Sequence, residues 1–167
     1  IGGGLAGLCL SIQLAKKGHS VVVIEKNKYP FHKVCGEYIS MESWDFLERL
    51  GIKLSEMNLP IINTLNVTSQ NGYKISSKLE MGGFGISRYT LDNELFKLAK
   101  IVGVTVLENC KATDLKSAEK KHFIQTTLGE INAKIVCGSF GKINPSFIEK
   151  STPSTKGNYI AVKYHIK

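Results

Sequence analysis

The residues with the clearest chemical promise open the chain, in Ile1-Gly-Gly-Gly-Leu-Ala-Gly7. Gly2, Gly4 and Gly7 keep a G-x-G-x-x-G spacing. The first glycine permits a tight strand-to-helix turn, the second lets backbone N–H groups approach a pyrophosphate, and the third lets the helix pack closely on the strand. A helix beginning there presents unpaired N–H donors and partial positive charge to the phosphates. Glu25 lies 18 residues past Gly7, where a carboxylate can accept hydrogen bonds from both ribose hydroxyls of an adenosine. A 2′-phosphate would be repelled at that point, so the pattern predicts FAD or NAD and disfavours NADP.

Other reactive groups are fewer. Arg88 directly precedes a helical pattern, where a guanidinium can bridge phosphate or ribityl oxygens in a bidentate way. Cys35 follows Lys33 by two residues, and a free cysteine commonly serves as a small apolar side chain. It is the one candidate for a direct catalytic role. His32 reads as a solvated loop ring. The four cysteines, Cys9, Cys35, Cys110 and Cys137, contain no C-x-x-C pair and read as free thiols. Neither a Ser-His-Asp set nor a metal ligand cluster is present, so no metal is expected.

The elements that must carry these residues follow from periodicity. Leu8, Ile12 and Ala15 share one face of a helix from Leu5 to Lys17, with Gly18 placed for a C-terminal cap. Ser20 to Glu25 is a β-branched run suited to a strand of a parallel sheet. Asn27 to Glu37, containing Pro30, reads as loop. Ser40 is placed to cap a helix from Met41 to Leu50, ended by Gly51, with Trp44 and Phe46 as core residues. Leu65 and Val67, then Tyr73 and Ile75, alternate around Asn71-Gly72, a strong hairpin signal. Thr90 is the expected cap of a helix whose face is Leu91, Leu95, Leu98 and Val102, stopped by Gly103. Strands are expected at Val104 to Leu107, at two segments around Leu128-Gly-Glu130, and at Lys134 to Cys137. Residues 144–158 read as a surface loop. The predicted class is α/β: a Rossmann-like FAD/NAD(P)-binding domain with a parallel sheet and inserted antiparallel β-hairpins.

Bulk properties agree with one globular domain. The chain has 167 residues, 43% hydrophobic and 22% charged, and no apolar run of membrane-spanning length. Without a basic leader ahead of the glycines, the expected setting is cytoplasmic. The net charge of +8 comes from dispersed lysines without interleaved aromatics, which favours a solvated surface over a specific nucleic-acid site and still admits peripheral contact with an acidic membrane.

Three further segments carry a family resemblance. Tyr29-Pro-Phe-His-Lys-Val-Cys-Gly-Glu37 resembles the P-x-x-K-x-C-G-G/E segment of the geranylgeranyl reductase-like branch of FAD-dependent oxidoreductases, and more loosely the P-R-x-H-x-G-E segment of flavin-dependent halogenases. Both belong to the group related to p-hydroxybenzoate hydroxylase. Gly85-Ile-Ser-Arg-Tyr-Thr-Leu-Asp92 is similar to that group's S-R-x-x-L-D helix entry, and Ala133-Lys-Ile-Val-Cys-Gly-Ser-Phe-Gly141 to its A-x-x-V-I-x-A-x-G strand. One departure is Phe140, where many relatives have the acidic residue of A-D-G; it moves the chain away from the aromatic hydroxylases.

The resemblance implies FAD as cofactor, with NAD(P)H as a candidate external reductant. It places Gly2, Gly4, Leu5, Ala6 and Gly7 at the pyrophosphate, Glu25 and Lys26 at the adenosine ribose, and backbone near Lys111 and Ala112 at the adenine. Cys35, Gly36 and Glu37 would lie beside the ribityl and flavin, with Arg88 reaching the cofactor. It further implies a later G-D motif and a sheet covering the substrate, neither of which these 167 residues contain. The expectation is therefore the N-terminal part of an FAD-binding domain, with its first strand cut to Ile1, that alone binds FAD weakly, if at all. The activity implied is flavin hydride transfer to a carbon-carbon double bond of a small hydrophobic, isoprenoid-like substrate. The alternatives are a flavin-dependent monooxygenase or halogenase, an NAD-dependent dehydrogenase, and a non-enzymatic basic binding module.

Overall fold

The computed structural model describes residues 1–142 and 144–148. They divide into two compact units, one comprising Ile1–Phe31 and the described residues from Asp92 onward, the other His32–Leu91. The elements, in chain order, are α1 (Leu5–Lys16), β1 (Val22–Ile24), β2 (Tyr38–Ser40), α2 (Trp44–Leu50), β3 (Ile61–Thr68), β4 (Lys74–Gly85), α3 (Arg88–Ile101), β5 (Thr105–Leu107), β6 (Ala112–Ala118), β7 (Lys121–Thr126) and β8 (Gly129–Ala133).

In the first unit β1 and β5 pair in parallel, Val22 to Thr105 through Ile24 to Leu107. Backbone bonds extend this ladder beyond the two assigned strands. Gly2 N–H donates to the Ile24 carbonyl at 2.9 Å, Ile1 N donates to the Cys137 carbonyl at 2.7 Å, and Ser139 N–H donates to the Ile1 carbonyl at 2.8 Å. Four segments thus lie in the order β5, β1, Ile1–Gly2, 137–139, which matches the 3-2-1-4 sequence of a Rossmann sheet. The strand expected at Lys134 to Cys137 is displaced: residues 134–140 form no assigned strand, and the ladder contact falls at 137–139.

An antiparallel sheet β6-β7-β8 follows β5. The sequence indicated β7 and β8 around Leu128-Gly129; the hairpin joining β6 to β7 through Glu119 and Lys120 carries no glycine or proline, and Glu119 itself supplies the left-handed position at φ 54°. Ile24, Cys110, Ala112 and Ile124 form the core here, with Ile1, Leu107 and Leu115 packed against them. On the helical side Leu8, Ile12, Leu95 and Ala99 are fully buried, as the 3.6-residue spacing predicts.

The three α-helices among the described residues end in the same way. In α1, Gly18 N–H donates to Ala15 and His19 N–H to Leu14; in α2, Gly51 to Glu48 and Ile52 to Leu47; in α3, Gly103 to Lys100 and Val104 to Ala99. Each is the paired 5→2 and 6→1 arrangement that satisfies the last carbonyls. The starts differ from expectation. Helix α3 begins at Arg88, two residues before Thr90, because the Ser87 hydroxyl accepts the Thr90 N–H at 3.0 Å and so caps the first turn. Ser40 makes no capping bond; its hydroxyl faces the Met81 sulfur at 3.5 Å, and a 3₁₀ turn over Met41–Ser43 precedes α2.

In the second unit β4 pairs with β2 and β3. Leu47, Leu50, Ile52, Leu54, Phe84, Ile86 and Leu91 are buried apolar residues of this unit, and Trp44 meets Phe84 edge-on at 5.0 Å. Phe46 is exposed and is not core, because the seven-residue α2 spends its buried face on Leu47 and Leu50. The hairpin forms as expected, Ser69 and Tyr73 closing a loop over Gln70 to Gly72. Its register pairs Leu65 with Ser77 and Val67 with Ile75. Leu65, Val67, Tyr73 and Ile75 are all exposed.

Candidate dinucleotide site

Helix α1 starts at the third position of the glycine pattern. Gly4 is its N-cap residue, and Leu8 N–H makes the first helical bond, to the Gly4 carbonyl at 2.9 Å. The N–H groups of Leu5, Ala6 and Gly7 precede that bond and have no intrahelical acceptor. No acidic residue lies in this first turn, so its partial positive charge is not offset by the helix itself.

The turn is built without room for side chains. A Cβ on Gly7 would meet the Gly2 carbonyl oxygen and approach Ser139 Oγ to 2.7 Å; one on Gly3 would meet the Tyr29 hydroxyl and Glu25 Cβ, the latter at 2.9 Å. Helix and strand are therefore as close as backbone allows, the role that the third glycine was assigned from sequence.

Glu25 follows β1 and is buried. Its Oε2 accepts the Gly3 N–H at 2.9 Å, and its Oε1 accepts both the backbone N–H and the side-chain amide of Asn27, at 2.9 and 2.8 Å. Of the roughly four acceptor positions of a carboxylate, three are used inside the protein. Glu25 thus ties the end of β1 to the glycine turn. Lys26 is exposed beside it.

Tyr29 closes the other side. It is 6% exposed, its ring stacks on Phe96 at 4.4 Å and tilts against Phe31 at 5.3 Å, and its N–H donates to Glu108 Oε1 at 2.8 Å. Its hydroxyl donates to the Gly3 carbonyl. Ser139 Oγ reaches the Gly2 carbonyl at 2.6 Å and the Ile1 carbonyl at 3.0 Å. None of Tyr29, Asn27, Glu108 and Ser139 was marked by sequence reasoning as a site residue. The only sequence signal for Ser139 is that it fills an alanine position of the strand-end pattern.

The other expected site residues are dispersed. Ala112 is buried in the first unit's core, and the backbone N–H and carbonyl of the adjacent Lys111 are bonded to Thr127, at 3.1 and 3.0 Å. Cys35, Gly36, Glu37 and Arg88 belong to the second unit. Within it, Cys35 is half-buried, Glu37 stands at φ 60° with its carbonyl accepting Ile86 N–H at 3.0 Å, and Arg88 is the first residue of α3. His32 stacks on Tyr89 at 4.6 Å while remaining exposed. Cys9, in α1, has its thiol pushed up to about 11 by burial, with the nearby Asp92 carboxylate adding to the effect. Among the described residues no group of three or more His, Cys, Asp or Glu could hold a metal ion, and no helix is long and apolar enough to cross a membrane.

Comparisons with known proteins bear on the fold. A family model described as an NAD(P)-binding Rossmann-like domain matches residues 1–34, the segment from the glycine turn through Glu25 and Tyr29. The fold is Rossmann-like. Over 123 residues the chain is 28% identical to conditioned medium factor receptor 1 of Dictyostelium discoideum, covering 65% of this chain and 24% of that protein. CmlS, a flavin-dependent halogenase, superposes over 79% of this chain and 26% of its own, with TM-score 0.66 and 21% identity. The p-nitrophenol 4-monooxygenase PnpA of Pseudomonas putida DLL-E4 does so over 78% and 36%, with TM-score 0.65 and 16% identity. The chain therefore spans about a quarter to a third of the length of these proteins.

Proposed function

We propose that this chain carries the pyrophosphate and adenosine half of an FAD site in a flavin-dependent oxidoreductase. The observation that carries the reading is the union of the glycine turn with Glu25: a helix N-terminus with no acidic residue in its first turn, which would take the pyrophosphate, and a buried carboxylate bonded to Gly3 N–H at 2.9 Å, which would read the ribose. The turn itself requires glycine at Gly3 and Gly7, where a Cβ would meet Glu25 and Tyr29 or the Gly2 carbonyl and Ser139. Gly2, Gly4, Leu5, Ala6 and Gly7 would hold the pyrophosphate, with Glu25 and Lys26 at the ribose and Ala112 backbone toward the adenine. Cys35, Gly36, Glu37 and Arg88 are the flavin-side candidates from the resemblance. When bound, the flavin supplies the redox chemistry, and the protein binds and orients it.

Among flavin chemistries, a halogenase or monooxygenase type has more support than reduction of a carbon-carbon double bond, because fold relatives over some four-fifths of the chain carry those activities in their names. A small hydrophobic substrate and NAD(P)H as reductant belong to the same proposal. A second reading, NAD binding in a dehydrogenase, draws on the NAD(P)-binding description of the model matching residues 1–34.

Titration of the purified chain with FAD, followed by flavin fluorescence and the visible spectrum, tests the first reading against the second. Saturable quenching and a perturbed flavin band are expected. Binding of NAD without FAD would transfer the assignment to the dehydrogenase reading. Salt-dependent binding to RNA or anionic vesicles, with neither dinucleotide bound, would replace both with a basic binding module.

A further inference from the structure

Two hydroxyl groups from outside the glycine motif address successive carbonyls of its turn. Ser139 Oγ donates to Gly2 O at 2.6 Å, with Ile1 O as a second acceptor at 3.0 Å, and Tyr29 donates to Gly3 O. A trans peptide holds its carbonyl and its N–H on opposite edges of one plane. For the Gly2–Gly3 peptide both edges are taken, the carbonyl by Ser139 and the N–H by Glu25 at 2.9 Å. For the Gly3–Gly4 peptide the carbonyl is taken by Tyr29, and the Gly4 N–H on the opposite edge has no partner among the described residues.

Those peptides join glycines, whose torsions are the softest in the chain. Left alone, either plane could rotate and turn a carbonyl oxygen toward the phosphates. Tyr29 is itself fixed, stacked on Phe96 and held by Glu108. Ser139 stands in the segment that pairs with Ile1. Both hydroxyls are therefore delivered from rigid supports.

We propose that Ser139 and Tyr29 are positioning residues of the dinucleotide turn: their hydroxyls preset two glycine peptide planes, so that the Gly4 N–H is aimed as a donor to an anionic ligand before that ligand arrives. This inference rests on the dinucleotide reading above. Its energetic content is preorganisation, ordering that would otherwise be lost on binding.

The test uses the isotope-labelled 167-residue chain with Ser139→Ala, Ser139→Thr and Tyr29→Phe. Phenylalanine keeps the ring stack, and alanine is the residue that the strand-end pattern carries at 139, so these variants retain the packing. In the free protein, Ser139→Ala should move the carbonyl carbon resonance of Gly2 but not Gly3, and Tyr29→Phe the reverse, each with faster exchange of the amide sharing that peptide. With FAD as probe, Ser139→Ala and Tyr29→Phe should each weaken binding about fivefold, the net worth of one neutral hydrogen bond; Ser139→Thr should restore it. Unmoved carbonyl resonances overturn the clamp whether or not FAD binds. Moved resonances with unchanged FAD affinity overturn the positioning role. If the parent chain binds no FAD while the resonances move, the clamp stands as geometry and the dinucleotide reading fails.

Discussion

At the scale of single residues, the site is decided by how little space the turn leaves. Gly7→Ala must displace the Gly2 carbonyl or Ser139, both parts of the sheet, so a loss of about 1–3 kcal/mol is expected from overpacking. Urea denaturation measures it, and a loss under about 0.5 kcal/mol would mean that the turn is looser than described. Cys9 gives a pH signature. Its thiol is raised from the ordinary 9.0 to about 11, chiefly by burial, so the folded state holds this proton more tightly than the unfolded state. The associated stability is full below pH 9 and is lost as pH rises toward 11. Cys9→Ala should show a shallower alkaline decline across that window than the parent; parallel declines would contradict it. The place of Glu25 at the end of β1 was legible in the sequence because a β-branched run leads into it. Its bonds to Asn27 and Gly3 were not, since they depend on where a loop folds back. Tyr29 and Ser139 were hidden for the same reason: they lie 26 and 137 residues from the carbonyls that they reach.

Elements follow local chemistry where one signal dominates. The helix ends were legible because each places a glycine just after its last turn. The α3 start was misplaced because Ser87 and Thr90 are both competent caps, and their mutual contact at 2.9 Å has no trace in the spacing. Ser87→Ala should lower stability by about 1 kcal/mol through loss of the bond to Thr90 N–H. Thr90→Ala should cost less than half as much in thermal or urea melts; the opposite ranking would return the cap to Thr90. The β6-β7 hairpin escaped notice because a glutamate, Glu119, occupies the left-handed turn position. In the second unit, Val67 and Ile75 pair across β3 and β4 with 56% and 71% of their surface exposed. Val67→Thr should therefore change stability by no more than about 1 kcal/mol, the range of a cross-strand pair, whereas a core truncation such as Leu47→Ala should cost about 2–5 kcal/mol.

For the whole molecule, a Rossmann-like fold can host many chemistries, so function has to be argued from the site. What the first unit contains is specific: a 3-2-1-4 ladder, a helix entering at Gly4, and a buried carboxylate tied to the glycine turn. The second unit holds Cys35, Glu37 and Arg88, the residues through which the resemblance favoured a flavin over a nicotinamide. The measurement that bears most directly on this account is competitive binding of FAD, NAD⁺ and NADP⁺ to the chain by isothermal titration. Buried Glu25 predicts that FAD binds and that NADP⁺ binds at least about tenfold more weakly than NAD⁺, because a 2′-phosphate meets the carboxylate. NADP⁺ affinity equal to that of NAD⁺, or NAD⁺ binding with no affinity for FAD, would contradict it.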